Sequence, residues 1–266
     1  MTQRRSRGAV SRALWAIAPV VLGLTIWAVV AAAVRPRAPF PGPIETAIRL
    51  FDLLGGERLL DYTIYAHAGA SLARWIIGFC IGASAGITVA ALVGWSRVAE
   101  RLLMPLVYVL QLIPGLAWIP VAILLLGIGN EATVFMIVMT ALAPVAVNMV
   151  AGLKSASEQH LRVARMAGAG PRETFFHVLL PGSIPHLMSG LRVGLGNSWR
   201  VVVAAEMVVG TGSGLGYSII QSRWTLDYAS AFVCIILICL VGLVIEYLGF
   251  ARLEEATVQR WGMVRA

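Results

Sequence analysis

Five side chains able to bind or transfer something stand inside long apolar runs. Asn197, Arg200 and Glu206 lie in the run 187–209, and Gln111 and Trp118 lie in the run 103–126. An arginine or glutamate at the centre of a membrane span costs about 2.5–3.5 kcal/mol on insertion scales, so it must face a partner or a wet cavity. Asn197 and Arg200 are three residues apart, hence neighbours on a helix surface. A cavity exposing Arg200 would draw an anion. The alternative is a structural pair, with Arg200 bonded to carbonyls or to an acid elsewhere. Glu206 would serve a gate or an interhelical bond. Gln111 and Trp118 either line a pathway or pack helices. Arg192, near the end of its run, is expected to snorkel.

A second kind of chemistry, protein docking, is suggested by the stretch Arg162 to Pro181, RVARMAGAGPRETFFHVLLP. It is charged and broken by Gly168 and Gly170, yet it sits between apolar runs. A helical piece from about Glu158 to Ala167 carries Arg162, Ala164 and Arg165. A second piece begins at Pro171, a favoured first helical position, with Glu173 in its first turn. Pro181 and Pro185 are expected to stop it. Gly168 permits the tight break between the pieces. Phe175 and Phe176 would be apolar knobs for a groove on a partner, with Arg165 and Arg172 as polar rim contacts.

Other chemistries are excluded. The phosphate-binding pattern G-x4-G-K-[ST] is absent, and the only lysine, Lys154, follows no glycine-rich loop. The run Gly210 to Gly216 has no lysine and reads as a flexible turn. Cys80, Cys234 and Cys239 all lie in apolar runs and suit packing; Cys234 and Cys239 lack metal-ligand spacing, so no metal site is expected. The histidines at 67, 160, 177 and 186 are scattered and suit loop or interface positions.

These residues have to be positioned by membrane helices. The chain is 59% hydrophobic and 13% charged, with mean hydropathy +0.82, which no ordinary soluble domain matches. Apolar runs of spanning length recur at about 14–34, 72–93, 103–126, 132–153, 187–209 and 229–250. This predicts an all-α, polytopic membrane protein with six transmembrane helices. The first run is too long for a cleaved leader. Residues 44–54 have helical spacing that suits a short interfacial helix. Residues 96–101 read as a short loop, and 210–228 as a Gly-rich loop. Pro114 and Pro120 should kink the third span, and the carbonyls they free must face protein or a wet cavity.

Orientation follows from the cations. A cytoplasmic start puts Arg4, Arg5, Arg7, Arg12, Arg97, Arg101, Lys154, Arg162, Arg165, Arg172, Arg252, Arg260 and Arg265 inside, thirteen in all. It leaves five outside: Arg35, Arg37, Arg49, Arg58 and Arg223. The net charge of +8 is thus spread over membrane-flanking segments, which excludes a nucleic-acid patch.

The polar stretch resembles the cytoplasmic EAA loop of bacterial ATP-binding-cassette importer permeases. That pattern is E-A-A, three residues, G, nine residues, I, one residue, L-P. Here Arg162-Val163-Ala164 stands in the first place, then Gly168, Val178 and Leu180-Pro181; Arg162 replaces the usual Glu. The third span is similar to the nitrate, sulfonate and taurine branch of these permeases, through Ile113-Pro114, Ala117-Trp118-Ile119-Pro120 and Gly127-Ile128-Gly129. The fifth span adds Trp199 and Ala204-Ala205-Glu206-Met207. The resemblance covers about Val107 to Ser218.

It implies one transmembrane permease domain over 1–266, with a coupling loop at about 154–186 whose contacts are Arg162, Ala164, Arg165, Gly168, Arg172, Phe175, Phe176 and Pro181. It implies a homodimer in the bacterial cytoplasmic (inner) membrane with both termini cytoplasmic. Two ATPase subunits would sit inside and an extracytoplasmic solute-binding protein outside. The chain itself would be no enzyme and hold no cofactor; ATP and Mg2+ would bind the partner ATPase. The cargo implied is a sulfonate, taurine or nitrate, or else a neutral or aromatic solute such as a thiamine-precursor pyrimidine. An ion-coupled transporter would need intramembrane acids, for which only Glu206 and Glu246 qualify. A membrane-embedded enzyme would need a catalytic cluster that the spans lack.

Overall fold

The computed structural model describes the backbone of residues 2–36 and 38–250, and the side chains of residues 18–36 and 38–247. The terminal cations Arg4, Arg5, Arg7, Arg12, Arg252, Arg260 and Arg265, and Arg37, therefore lie outside the described side chains. The chain divides into two compact units. One comprises residues 1–64 with 218–236, the other 65–217 with 237–266.

The first unit contains α1 (Thr2–Val34), α2 (Pro43–Leu54), a two-residue hairpin pairing β1 (Arg58–Leu59) with β2 (Tyr62–Thr63), and the first half of α12 (Tyr228–Val244). Pro43 opens α2 in the first turn, where its missing N–H is no loss. The Trp27 ring stacks on Phe232 at 5.5 Å, and its indole N–H donates to the Pro41 carbonyl at 3.0 Å. Arg49 ties α2 to the start of α12, donating to the Ser230 hydroxyl at 2.8 Å and pairing with Asp227 at 3.2 Å and Glu57 at 2.5 Å. Burial works against the Arg49 charge, but Glu57 and Asp227 outweigh it and raise its pKa. Ile44, Ile48 and Phe51 form an exposed apolar face on α2.

The second unit is built around α6 (Asn130–Lys154), whose inward positions from Ala132 to Leu153 are buried. Two helices press on it through small residues: α3 (Ile64–Trp95) and α10 (Ile184–Val209). A Cβ on Gly82 would stand 2.8 Å from the Val138 carbonyl oxygen, and one on Gly86 would stand 2.7 Å from that of Leu142. Gly190 and Gly194 meet the Pro144 and Ala141 carbonyls from the other side. Absence of side chains there lets the backbones approach, the usual device of helix pairs in lipid. Gly78, Gly82 and Gly86, spaced four residues apart, thus form one packing seam.

Several sequence expectations change. Residues 96–101 are no loop: Ser96 caps α4 (Arg97–Leu112), accepting from the Ala99 N–H, and Arg97, Glu100 and Arg101 lie in its first turns. Residues 103–126 are no single helix. Pro114 holds Ile113 in an extended conformation and ends α4; a 3-10 turn (Gly115–Trp118) follows, and α5 (Ile119–Leu126) starts with Pro120 in its first turn. The two halves are bent by 103°. Pro181 and Pro185 start helices rather than stop one, at Leu180–Gly182 and in the first turn of α10. Residues 210–228 contain α11 (Leu215–Trp224).

Among the described residues three helices are long and apolar enough to cross a membrane: Ile64–Trp95, Asn130–Lys154 and Tyr228–Tyr247. The bent pair would make a fourth, and Ala18–Val34 is a shorter apolar helix. The protein is therefore a mostly helical membrane protein.

Gly82→Val should lower stability by about 1–3 kcal/mol by forcing α3 off α6. Gly69→Ala, with nothing within 4 Å of its added methyl, should not. Equilibrium unfolding in mixed detergent micelles checks both.

Candidate functional site

The bend between α4 and α5 fits between α6 and α10. Gly115 comes so close that a Cβ there would lie 2.5 Å from Val201 Cγ2 and 2.6 Å from Thr140 Oγ1. Beside this contact opens a cavity of about 460 Å³, and its walls include Gln111, Thr140, Asn197 and Arg200 among apolar side chains. Pro144, also in the wall, has no N–H to offer the Thr140 carbonyl one turn back. Three of the five candidate residues thus come together: Gln111, Asn197 and Arg200. Trp118 does not line the cavity. It packs edge-on against Phe135 at 6.1 Å, beside Ala122, Met136 and Val201.

The arginines in or beside the apolar helices are handled differently. Arg74 on α3 pairs with Glu206 on α10 at 2.6 Å, with Glu206 fully buried and Arg74 nearly so. Arg192 pairs with Glu246 at 2.9 Å, so it is answered by a carboxylate rather than left to snorkel. Arg200 has no carboxylate within ion-pair distance among the described residues. Its contact is the Asn197 side-chain oxygen at 3.4 Å, a long and weak bond.

Glu206 lies outside this cavity, and of its two expected roles it fills that of an interhelical bond. It also accepts from the Ser71 hydroxyl at 2.8 Å and from the Gly216 N–H at 3.0 Å. Arg74 donates on to the Asn130 side chain at 2.6 Å and the Ser213 carbonyl at 2.8 Å. The run Gly210 to Gly216 is consequently pinned rather than flexible. The Gly214 N–H donates to His67 Nδ1 at 3.1 Å and the Leu215 N–H to Ser71 Oγ at 2.8 Å. Gly214 has φ +127°, and a Cβ there would collide with the Glu206 carboxyl at 2.5 Å, so glycine is required. Sequence reasoning missed Arg74, Ser71 and His67; His67 is buried here, not in a loop.

The polar stretch folds as α7 (Glu158–Met166), α8 (Pro171–Thr174), a π-helical turn (Phe175–Leu179) and α9 (Leu180–Gly182). Ser157 caps α7 by accepting from the His160 N–H. At its other end Gly168, at φ +81°, completes a Schellman cap: its N–H bonds the Arg165 carbonyl and the Ala169 N–H bonds that of Ala164. Glu173 reaches back to the Gly170 N–H at 2.9 Å. The two phenylalanines part ways. Phe175 is buried, edge-on to Trp95 at 5.4 Å and packed with Val93, Met149 and Leu153, so it is an anchor rather than a knob for a partner. Phe176 is exposed, as are Val163, Met166, Arg162, Arg165 and Arg172; Ala164 and Pro181 are half-buried. Arg162 pairs with Glu158 at 3.0 Å, one helical turn away and in full solvent, which stabilises little.

Residues 81–253 match the family model described as binding-protein-dependent transport system inner membrane component. A probable ABC transporter permease protein of Brucella melitensis is 35% identical over 78% of this chain and 82% of its own length. The taurine transport system permease protein of Escherichia coli is 30% identical, covering 91% of this chain and 88% of its own. The nitrate import permease protein of a Synechocystis strain is 30% identical over 87% and 84%. Among solved structures the inward-facing MetNI methionine ABC transporter superposes with TM-score 0.60 over 71% of this chain and 93% of that one; at 20% identity it speaks for the fold alone. The chain belongs to the binding-protein-dependent transport system inner membrane components, in their nitrate, sulfonate and taurine branch. Such permease subunits are not enzymes, and ATPase activity sits in a partner.

Arg74→Met or Glu206→Gln should each destabilise the protein by about 3–5 kcal/mol, because each leaves a buried charge or polar group unanswered. The double variant Arg74→Met, Glu206→Gln should lose less than the sum of the two. A double-mutant cycle of unfolding free energies checks the coupling.

Proposed function

We propose that this chain forms, as a homodimer, the transmembrane pathway of an ATP-driven importer for a small oxoanion of the sulfonate, taurine or nitrate type. The observation carrying this reading is Arg200, the arginine that faces a cavity without a carboxylate, while Arg74 and Arg192 are both neutralised. A guanidinium with no acid partner, exposed at a largely apolar cavity, favours an anion, and a planar or tetrahedral oxoanion can take its paired donors. Asn197, Gln111 and Thr140 would supply further polar contacts. The names of the taurine and nitrate relatives agree with this chemistry.

Six spans are then α1, α3, the bent α4–α5 pair, α6, α10 and α12, with both termini and the 158–181 loop cytoplasmic in the bacterial inner membrane. The cation asymmetry supports that orientation. Two ATPase subunits, holding ATP and Mg2+, dock on the exposed face of the loop: Val163, Met166 and Phe176, rimmed by Arg162, Arg165 and Arg172. A solute-binding protein delivers cargo on the opposite side. Phe175 locks the loop to the ends of α3 and α6, and α10 runs from the loop to Arg200. Closure of the ATPases would pull on these helices together and turn the cavity from one side of the membrane to the other.

Uptake of labelled taurine, an alkanesulfonate, nitrate and bicarbonate in cells lacking the gene should show a defect for one anion. Wild type should restore it, and Arg200→Ala should reduce it at least tenfold at equal membrane levels. No defect for any of these anions would sink the oxoanion reading. Phe176→Ala should lower uptake severalfold without loss of folded permease, measured as uptake per molecule in vesicles.

A further inference from the structure

At the loop-side ends of α4 and α6 lies a second groove, of about 470 Å³, unrelated to the cavity at Arg200. Its charged wall holds Arg97 and Arg101, one turn apart on α4, and Lys154 at the end of α6. One acid faces it, Glu100, and Lys154 already engages that carboxylate at 2.5 Å. Arg97 and Arg101 make no ion pair among the described residues. They also sit at the positive end of the α4 dipole, which adds to their field rather than opposing it. The rest of the groove is Met104, Pro105 and Tyr108, and the α4 surface continues outward as exposed Leu102, Leu106 and Val109.

A cationic rim that passes along one helix into an exposed apolar strip has the polarity of a phospholipid, headgroup first and acyl chain after. A soluble anion would use the rim and make no use of the apolar lining at Met104, Pro105 and Tyr108. An acidic protein surface would likewise not fill that lining on a helix read as entering the membrane. Basic pockets between spans on the cytoplasmic side suit anionic headgroups. We infer that this groove binds an anionic phospholipid, with Arg97, Arg101 and Lys154 on its phosphate and Met104, Pro105 and Tyr108 along its upper acyl chain. The inference rests on the cytoplasmic placement of this end in the proposed function. A lipid held there would brace α4 against α6 beside the Phe175–Trp95 anchor.

The test is native mass spectrometry of the full-length permease, extracted with its ATPase from vesicles of equal phosphatidylglycerol and phosphatidylcholine. Wild type should retain phosphatidylglycerol preferentially. Each arginine is worth about fivefold near an anionic surface, so Arg97→Gln with Arg101→Gln should cut that preference about thirtyfold, and Arg101→Gln alone about fivefold. Arg58→Gln, elsewhere on the chain, should retain it. Inorganic phosphate should not displace the lipid. Equal retention of both lipids, or a double variant that behaves as wild type, overturns the proposal. Displacement by inorganic phosphate would assign the groove to a free anion and overturn it too. Loss of the co-purifying ATPase with lipid retention unchanged would give the groove to the protein partner. Retained phosphatidylglycerol in vesicles that import no anion would support the groove while removing the transport reading.

Discussion

An arginine inside an apolar helix bundle must be answered by a carboxylate or by water, and the Arg74–Glu206 pair decides much of what surrounds it. The 2.6 Å contact joins α3 to α10. Both partners then need their remaining donors and acceptors filled, because a half-satisfied buried network is worse than none. Ser71, Asn130, Ser213 and the Gly216 N–H do this. The Gly210 to Gly216 run is folded down to supply them, and its glycines are needed where the chain passes over the carboxylate. Fixing this end of the bundle gives α10 a defined position, and so gives Arg200 a defined position along it. Arg200 then stands out by contrast with Arg74: the same residue type, on α10 rather than α3, with no acid within ion-pair distance among the described residues.

The other constraint is backbone approach. Glycines on α3 and α10 bring both helices against α6, and Gly115 brings the broken α4–α5 segment into the remaining space. Proline does the opposite work. Pro114 and Pro120 prevent a straight helix from filling the site, so a cavity is left where one would have closed it. At the far end Phe175, Trp95 and Leu153 make the polar loop part of the same packed body. The proposed coupling between the loop and the cavity would run through this packing.

Much of this was legible in the sequence. The long apolar runs at 72–93 and 132–153 became α3 and α6 with extra turns at their ends. The Gly168 break and the Pro171 start were placed correctly because capping chemistry is local. Gln111, Asn197 and Arg200 could be singled out because polar groups are expensive in apolar runs; that they line one cavity shows only in the structure. What failed was non-local or ambiguous. Pro181 and Pro185 can stop a helix or open one, and only the preceding backbone decides. Phe175 and Phe176 are adjacent and chemically identical, so which ring turns inward depends on Trp95, eighty residues earlier. The glycine run looked loose because its partners, His67, Ser71 and Arg74, lie on another helix. One signal for that pair was present: Arg74 begins the second apolar run and Glu206 ends the fifth, which puts them at the same end of the bundle.

The proposed function requires position 200 to lie in the solute pathway. The direct measurement is thiol accessibility at Arg200→Cys in a full-length chain whose Cys80, Cys234 and Cys239 are changed to Ala, using a sulfonate-bearing, membrane-impermeant methanethiosulfonate on vesicles. Modification is expected at this position, slowed by the transported anion, and none at Val202→Cys, whose native side chain is fully buried. No modification at position 200 in either orientation of the vesicles, with or without ATP, would contradict it.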